Sequence, residues 1–190
     1  MFAKIAERIT ENMEDNHIIK HDDRELYVYG FNQGLNILLN LITTLVVGVL
    51  FHNILELAIF IAAYIPLRSF AGGYHAKTPV RCYIFSIILI LAFSLVMKYV
   101  HFTIFICSIM IVVSSSVILC LAPVEDKNKP LDKEEQRVYR KRTYLIWAIE
   151  LVALIICRCL QQIAPAVCLA MTFLVMAVML ILGKLKNILF

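Results

Sequence analysis

The chain has 190 residues, of which 61% are hydrophobic and only 17% are charged, and its formal net charge is +4. Soluble domains are typically about 45–50% apolar and about 25% charged, and here the apolar residues stand in long unbroken runs. This composition excludes an ordinary soluble domain. It predicts an all-α, polytopic integral membrane protein in a lipid bilayer, for which no nucleic-acid partner is expected.

The first 20 residues predict an amphipathic helix. Phe2, Ile5, Ile9 and Met13 recur on one helical face, and charged residues occupy the other. Such a helix is suited to lie in the headgroup plane of a membrane. Packing against the protein's own loops would need the same pattern, so the sequence leaves both arrangements open.

Six apolar runs follow and predict about six membrane spans, because a spanning helix needs about 20 mostly apolar residues. The second run is short and is expected to end at Pro66. The predicted spans are residues 29–50, 53–67, 83–100, 102–121, 144–161 and 164–183.

Basic residues indicate the orientation, because Lys and Arg are retained on the cytoplasmic side of a membrane. With six spans, all of the 18 Lys and Arg residues except Lys98 and Arg158 fall on the side that holds both termini. The chain is therefore expected to be a multi-pass protein of the cell membrane with both termini in the cytoplasm. Residues 1–190 are interpreted as a single membrane-embedded domain, with cytoplasmic loops at residues 68–82 and 123–143.

The loop at residues 68–82 is a glycine-rich segment that also carries a histidine and a cysteine. His75 and Cys82 stand seven residues apart, just outside an apolar run. Nucleophilic catalysis by cysteine needs a thiolate and a nearby base, so this pair is a candidate catalytic dyad. A structural loop that holds both residues by coincidence is the alternative that spacing alone leaves open.

The residues before Cys82 favour activation of its thiol. Thr78 and Pro79 are typical of a helix start, an N-cap followed by proline at the first helical position. Cys82 would then lie in or beside the first helical turn. There the helix dipole and the neighbouring Arg81 would both stabilise a thiolate.

Polar residues of the first predicted span mark one of its faces. Gln33, Asn36 and Asn40 recur at helical spacing, and this face should avoid lipid. Gln33 lies near the cytoplasmic end, where it could orient His75 or bind an oxyanion. Hydrogen bonding between helices is the plainer explanation for these residues.

Other residues are candidates for auxiliary roles. Gly72 and Gly73 give the backbone freedom to turn and allow the close approach of a peptide. Glu150 lies inside the fifth predicted span, where a carboxyl group needs a partner or a proton. No metal site and no cofactor are predicted. The full set of auxiliary candidates is Gln33, Arg68, Gly72, Gly73, Thr78 and Glu150.

Two segments of the chain resemble those of a known family. The first cytoplasmic loop contains Arg68, Gly72-Gly73, His75-Ala76, Thr78 and Cys82. The second contains Ala122-Pro123-Val124-Glu125 followed by Asn128-Lys129-Pro130-Leu131. Both closely resemble segments of the accessory gene regulator B (AgrB) family, integral-membrane cysteine endopeptidases that process small quorum-sensing propeptides. The order of the parts along the chain is similar as well.

The resemblance implies a mechanism and partners. His75 would take the thiol proton, and Cys82 would attack a peptide carbonyl of an AgrD-like propeptide, whose C-terminal part leaves. A Cys or Ser of the bound peptide could then displace the enzyme and close a thiolactone or lactone ring. The resemblance also implies a homodimer. The cations expected to attract the acidic tail of the propeptide include Lys127, Lys129, Arg137, Arg140, Lys141 and Arg142.

Other functional classes fit parts of the sequence. A small membrane transporter or channel subunit would also show several spans with polar residues inside them, but it would not need the loop with Gly72-Gly73, His75 and Cys82. A metal-dependent membrane protease would draw on Glu134 and Glu135, which lie in a hydrophilic loop without matching intramembrane histidines. A non-enzymatic assembly factor is the third alternative.

Overall fold

The long apolar runs form helices because only a helix satisfies its own backbone groups inside a membrane. The computed structural model describes residues 2–74, 76, 78–125 and 132–189. Within these residues the chain forms seven α-helices, with a short 3-10 helix, His21–Asp23, before the second of them. The α-helices are α1 Ala3–Asp15, α2 Arg24–Phe51, α3 Ile54–Ala71, α4 Pro79–Tyr99, α5 Ile104–Leu121, α6 Lys133–Cys159 and α7 Ile163–Leu189.

Among the described residues, five helices are long and apolar enough to cross a membrane. They are α3, α4, α5, α7 and the continuous helical stretch His21–Phe51, which contains α2. Their length and composition confirm the predicted all-α polytopic membrane protein.

The sixth predicted span, residues 144–161, falls in the C-terminal part of α6. Arg142, Glu150 and Arg158 interrupt the apolar run of this helix, and α6 is not one of the five helices that length and composition select. A membrane crossing by α6 therefore stays a prediction from the sequence. The same holds for the placement of both termini in the cytoplasm.

The predicted end of the second span at Pro66 is wrong. Helix α3 continues through Pro66 to Ala71, although a proline inside a helix removes one backbone hydrogen bond and crowds the preceding turn. Leu67 and Ala71 are fully buried, in a helix that packs against both α6 and α7, and this packing outweighs the lost hydrogen bond. The predicted loop 68–82 is correspondingly shorter, because Arg68 lies in the last turn of α3.

The chain divides into two compact units, of which the larger comprises Phe51–His75 and Phe93–Phe190. Helix α7 is the central element of this unit. Its side chains Phe173, Met176 and Leu180 are fully buried, because α3, α5 and α6 all pack against α7. An apolar helix surrounded in this way provides a fixed support for the segments that contact it.

The smaller unit comprises Met1–Leu50 and Ala76–Ala92, and thus contains α1, α2 and most of α4. The predicted N-terminal helix is present as α1. Within α1, Ala6 and Thr10 are fully buried by the protein, whereas Ile5, on the predicted apolar face, is half exposed. The Thr10 hydroxyl donates a hydrogen bond to the carbonyl of Ala6 (2.8 Å), so its burial leaves no polar group unpaired.

Replacing Phe173 with alanine tests the central position of α7. Truncating a fully buried Phe to Ala typically lowers the free energy of unfolding by about 3–5 kcal/mol. Phe105→Ala is the matched control, since the Phe105 side chain of α5 is 72% exposed. We expect a lower thermal unfolding temperature in detergent for Phe173→Ala and little change for Phe105→Ala. Equal unfolding temperatures for the two variants would contradict this packing.

Candidate active site

The N-terminus of α4 has the local structure that its sequence predicts. Pro79 is the first helical residue, where its fixed φ and missing N–H group are favourable. The Thr78 hydroxyl oxygen accepts a hydrogen bond from the Arg81 N–H (3.3 Å), and the Thr78 carbonyl accepts one from the Cys82 N–H (3.0 Å). Cys82 therefore lies in the first turn of α4, where it is a free and exposed cysteine.

Cys82 lines a cavity of about 250 Å³ that lies within the smaller unit. Pockets for drug-sized molecules typically enclose about 300–1,000 Å³, so this cavity is smaller than such a pocket and could hold only a few side chains or backbone groups of a peptide. The walls come from α2, from the start of α4 and from residues just before α4. The lining residues are Gln33, Asn36, Ile37, Asn40, Ala76, Thr78, Pro79, Cys82 and Tyr83.

The α2 side of the cavity carries carboxamide side chains. Asn36 Nδ2 donates to the carbonyl of Asn32 (2.7 Å), and Asn40 Nδ2 donates to the carbonyl of Asn36 (2.9 Å). Each side chain thus bonds one turn back along its own helix, which partly satisfies its polar atoms in an apolar setting. Gln33 lines the same cavity and is exposed.

One hydrogen bond between side chains joins α2 to α4 beside the cavity. The Thr43 and Tyr83 hydroxyl oxygens are 2.8 Å apart. Because the Thr43 hydroxyl donates its single proton to the carbonyl of Leu39 (2.9 Å), the Tyr83 hydroxyl must be the donor to Thr43. Tyr83 directly follows Cys82 in the chain, so this bond helps to hold the thiol-bearing turn against the polar face of α2.

The structure brings Gln33 and Thr78, two of the predicted auxiliary residues, to the cavity that Cys82 lines. Asn36 and Asn40 line it as well, although the sequence indicated only that they avoid lipid. Their helical spacing from Gln33 was the signal that could have identified them as site residues. Glu150 does not line this cavity; it is buried in the larger unit, and its Oε2 has no hydrogen-bond partner among the described residues.

His75, Lys127 and Lys129 lie outside the residues that the structure describes. The pairing of His75 with Cys82 therefore stays a prediction. The remaining candidates for binding the propeptide tail are all exposed on the first half of α6, and they are Arg137, Arg140, Lys141 and Arg142.

Three residues follow α3 in the larger unit and are here called the Gly72–Tyr74 segment. Arg68, in the last turn of α3, contacts this segment. The Arg68 guanidinium donates to the carbonyls of Gly72 (3.4 Å) and Tyr74. Gly72 and Gly73 have φ angles of +74° and +115°, which favour glycine. A Cβ on Gly72 would lie 2.1 Å from the Val124 carbonyl oxygen. The close approach that these glycines permit is thus to the protein's own backbone.

The family model described as "Accessory gene regulator B" matches residues 4–182 of the chain. The chain belongs to the AgrB family. Two relatives are a putative AgrB-like protein of Clostridium perfringens strain SM101 and putative AgrB-like protein 2 of strain 13. Each is 26% identical over 149 residues, which cover 75% of this chain and 70% of the relative.

A third relative, a putative AgrB-like protein of Lactiplantibacillus plantarum, is 24% identical over 82 residues, covering 43% of this chain and 41% of the relative. No solved structure matches the chain. AgrB membership gives the protein a role in the accessory gene regulator quorum-sensing system, within a family of peptide-processing proteins.

Filling the cavity tests whether it gives access to Cys82. We expect Asn36→Phe to slow alkylation of Cys82 by N-ethylmaleimide by about tenfold or more, because the phenyl ring would fill part of the cavity through which the reagent approaches the thiol. Leu38→Phe is the control, since Leu38 is 53% exposed on α2 and does not line the cavity. Mass spectrometry of the Cys82 peptide over time gives the rates. Equal rates in Asn36→Phe and wild type would show that the thiol is reached by another path.

Proposed function

We propose that this protein is a membrane cysteine endopeptidase that cleaves an AgrD-like propeptide, with Cys82 as nucleophile and His75 as its base. The observation that carries the proposal is the exposed Cys82 in the first turn of α4, beside a cavity with carboxamide side chains on its other wall. A helix N-terminus is a favourable position for negative charge that develops on a nucleophile, and Arg81 is the adjacent residue in the chain.

Acylation of Cys82 is the first chemical step. His75 takes the thiol proton, and the Sγ thiolate attacks the carbonyl carbon of the scissile peptide bond. The Val80 N–H group and the Gln33 carboxamide are the candidate donors to the resulting oxyanion, because the Arg81 and Cys82 N–H groups already donate to Thr78. When the C–N bond breaks, His75 returns the proton to the leaving amine. The C-terminal part of the propeptide departs, and the N-terminal part stays as a thioester on Cys82.

Release of the acyl group completes the reaction. The side-chain thiol or hydroxyl of a Cys or Ser within the bound peptide attacks the thioester carbonyl, closes a thiolactone or lactone ring and releases the Cys82 thiolate. Attack by water would give a linear acid instead. A site that excludes water favours the ring, so a bound peptide that displaces water from the cavity beside Cys82 would favour ring closure.

The first half of α6 is the proposed binding surface for the acidic part of the propeptide. Arg137, Arg140, Lys141 and Arg142 are exposed there, and a cluster of one charge sign raises the local concentration of an oppositely charged partner. Basic residues also indicate the cytoplasmic side of a membrane. We therefore propose that the site faces the cytoplasm in the cell membrane. The homodimer stays an expectation from the family resemblance.

Cleavage of an AgrD-like propeptide by the protein in lipid vesicles tests the proposed function. We expect Cys82→Ala to lower the cleavage rate more than about 1,000-fold, because the substitution removes the covalent route. Cys120→Ala is the control, since Cys120 is also a free and exposed cysteine but does not line the cavity. Mass spectrometry of the peptide products gives the rates.

Two outcomes of this assay would overturn the cysteine mechanism. Cleavage that survives Cys82→Ala but stops with a metal chelator would favour a metal-dependent protease. Movement of the intact propeptide across the vesicle membrane without any cleavage would favour the transporter.

A further inference from the structure

The C-terminal part of α7 contacts the Gly72–Tyr74 segment through backbone atoms. The Tyr74 N–H donates a hydrogen bond to the carbonyl of Met179 (2.9 Å), although Met179 lies inside the continuous helix α7. A helical side chain covers the turn on the N-terminal side of its own Cα. The side chain at position 183 would therefore cover the Met179 carbonyl, one turn earlier, and in this chain that position is glycine.

Gly183 has no space for a side chain. A Cβ on Gly183 would lie 2.6 Å from the Gly73 carbonyl carbon and 2.8 Å from the Tyr74 nitrogen. Both atoms belong to the backbone, so no side-chain rotation can relieve the clash. Gly183 is also buried, which means that the peptide group between Gly73 and Tyr74 rests directly on the surface of α7.

Other contacts fix the same segment from different directions. The Gly73 N–H donates to the Val124 carbonyl (3.2 Å), and the Val124 N–H donates to the Ala71 carbonyl (2.9 Å). The Lys186 ammonium lies 5.7 Å from the centroid of the Tyr74 ring. The segment is therefore held on several sides at the residue immediately before His75 in the chain.

The last turns of α7 also hold the start of the second loop. Asn187 Nδ2 donates to the carbonyl of Glu125 (2.7 Å). The end of α7 thus contacts both the segment before His75 and the start of the second loop, through different residues, Gly183 and Asn187.

We propose that Gly183 is a positioning residue for the acylation step. Because position 183 has no side chain, the Tyr74 N–H can reach the Met179 carbonyl, and the Gly73–Tyr74 peptide group packs directly on α7. This contact fixes the backbone at the residue before His75. This inference rests on the proposed function, in which His75 is the base. Gly183 itself touches neither substrate nor reacting atoms; it acts through the backbone that it supports.

Gly183→Ala in lipid vesicles with an AgrD-like propeptide tests this proposal. We expect kcat to fall about 100-fold with KM unchanged, because misplacing a catalytic group by about 1 Å has an effect of that size. Alanine forms helices better than glycine, so weakening of α7 itself cannot explain a loss. Gly30→Ala is the matched control, since a Cβ on Gly30 of α2 would meet no atom within 4 Å, and it should keep the wild-type rate.

The double variant Gly183→Ala/His75→Ala separates positioning from a general structural effect. If Gly183 acts through His75, the double variant should be no slower than His75→Ala alone, whereas independent effects would multiply. The inference would be overturned if the losses in kcat multiplied in the double variant, or if Gly183→Ala kept the wild-type kcat. Because the wild type still cleaves the propeptide in both cases, the proposed function would stand. Absence of cleavage by the wild type would instead refute the proposed function.

Thermal unfolding and gel filtration in detergent report whether Gly183→Ala folds. If it does not fold, Lys186→Met takes its place, because this variant removes the contact of the Lys186 ammonium with the Tyr74 ring in the same segment without introducing a clash. It should then show a lower kcat with an unchanged KM, and the same lack of further loss when combined with His75→Ala. Independent losses in that pair would overturn the proposal.

Discussion

Backbone groups that leave a helix in an apolar environment need hydrogen-bond partners, and in this protein irregular segments bond to one another and to the backbone of α7. The Gly73 and Tyr74 N–H groups bind the carbonyls of Val124 and Met179, while Val124 donates to Ala71. These bonds join the end of α3, the segment after α5 and the C-terminal part of α7. Backbones can approach so closely only where side chains are absent, which explains the glycines at these contacts.

The two units meet different requirements of the proposed chemistry. A catalytic thiol must be accessible, and the smaller unit provides this through Cys82 at the start of α4, in a cavity shared with α2. A general base must be held in a defined position, and the larger unit anchors the segment that leads to His75 on its buried central helix. If His75 is the base, as proposed, this anchoring fixes the backbone at the residue before it.

Local chemistry was predictable from the sequence, and long-range packing was not. Thr78 and Pro79 correctly predicted the start of α4, because a cap and a fixed φ act on neighbouring residues only. Pro66 predicts a helix end, but packing of α3 against α6 and α7 compensates for the lost hydrogen bond. The sequence predicts the end of a span at Gly183 but not its contact with Gly73, because the two residues are far apart in the chain. A glycine in an apolar run carries no signal of such a contact.

In the proposed mechanism Cys82 carries the N-terminal part of the propeptide as a thioester. Intact-protein mass spectrometry after acid quenching of a single turnover in lipid vesicles detects this intermediate. We expect an adduct with the mass of that acyl fragment, located on the Cys82 peptide and removed by hydroxylamine. Turnover without an adduct on Cys82 under conditions that trap a thioester standard, or with the adduct on another residue, would contradict the mechanism.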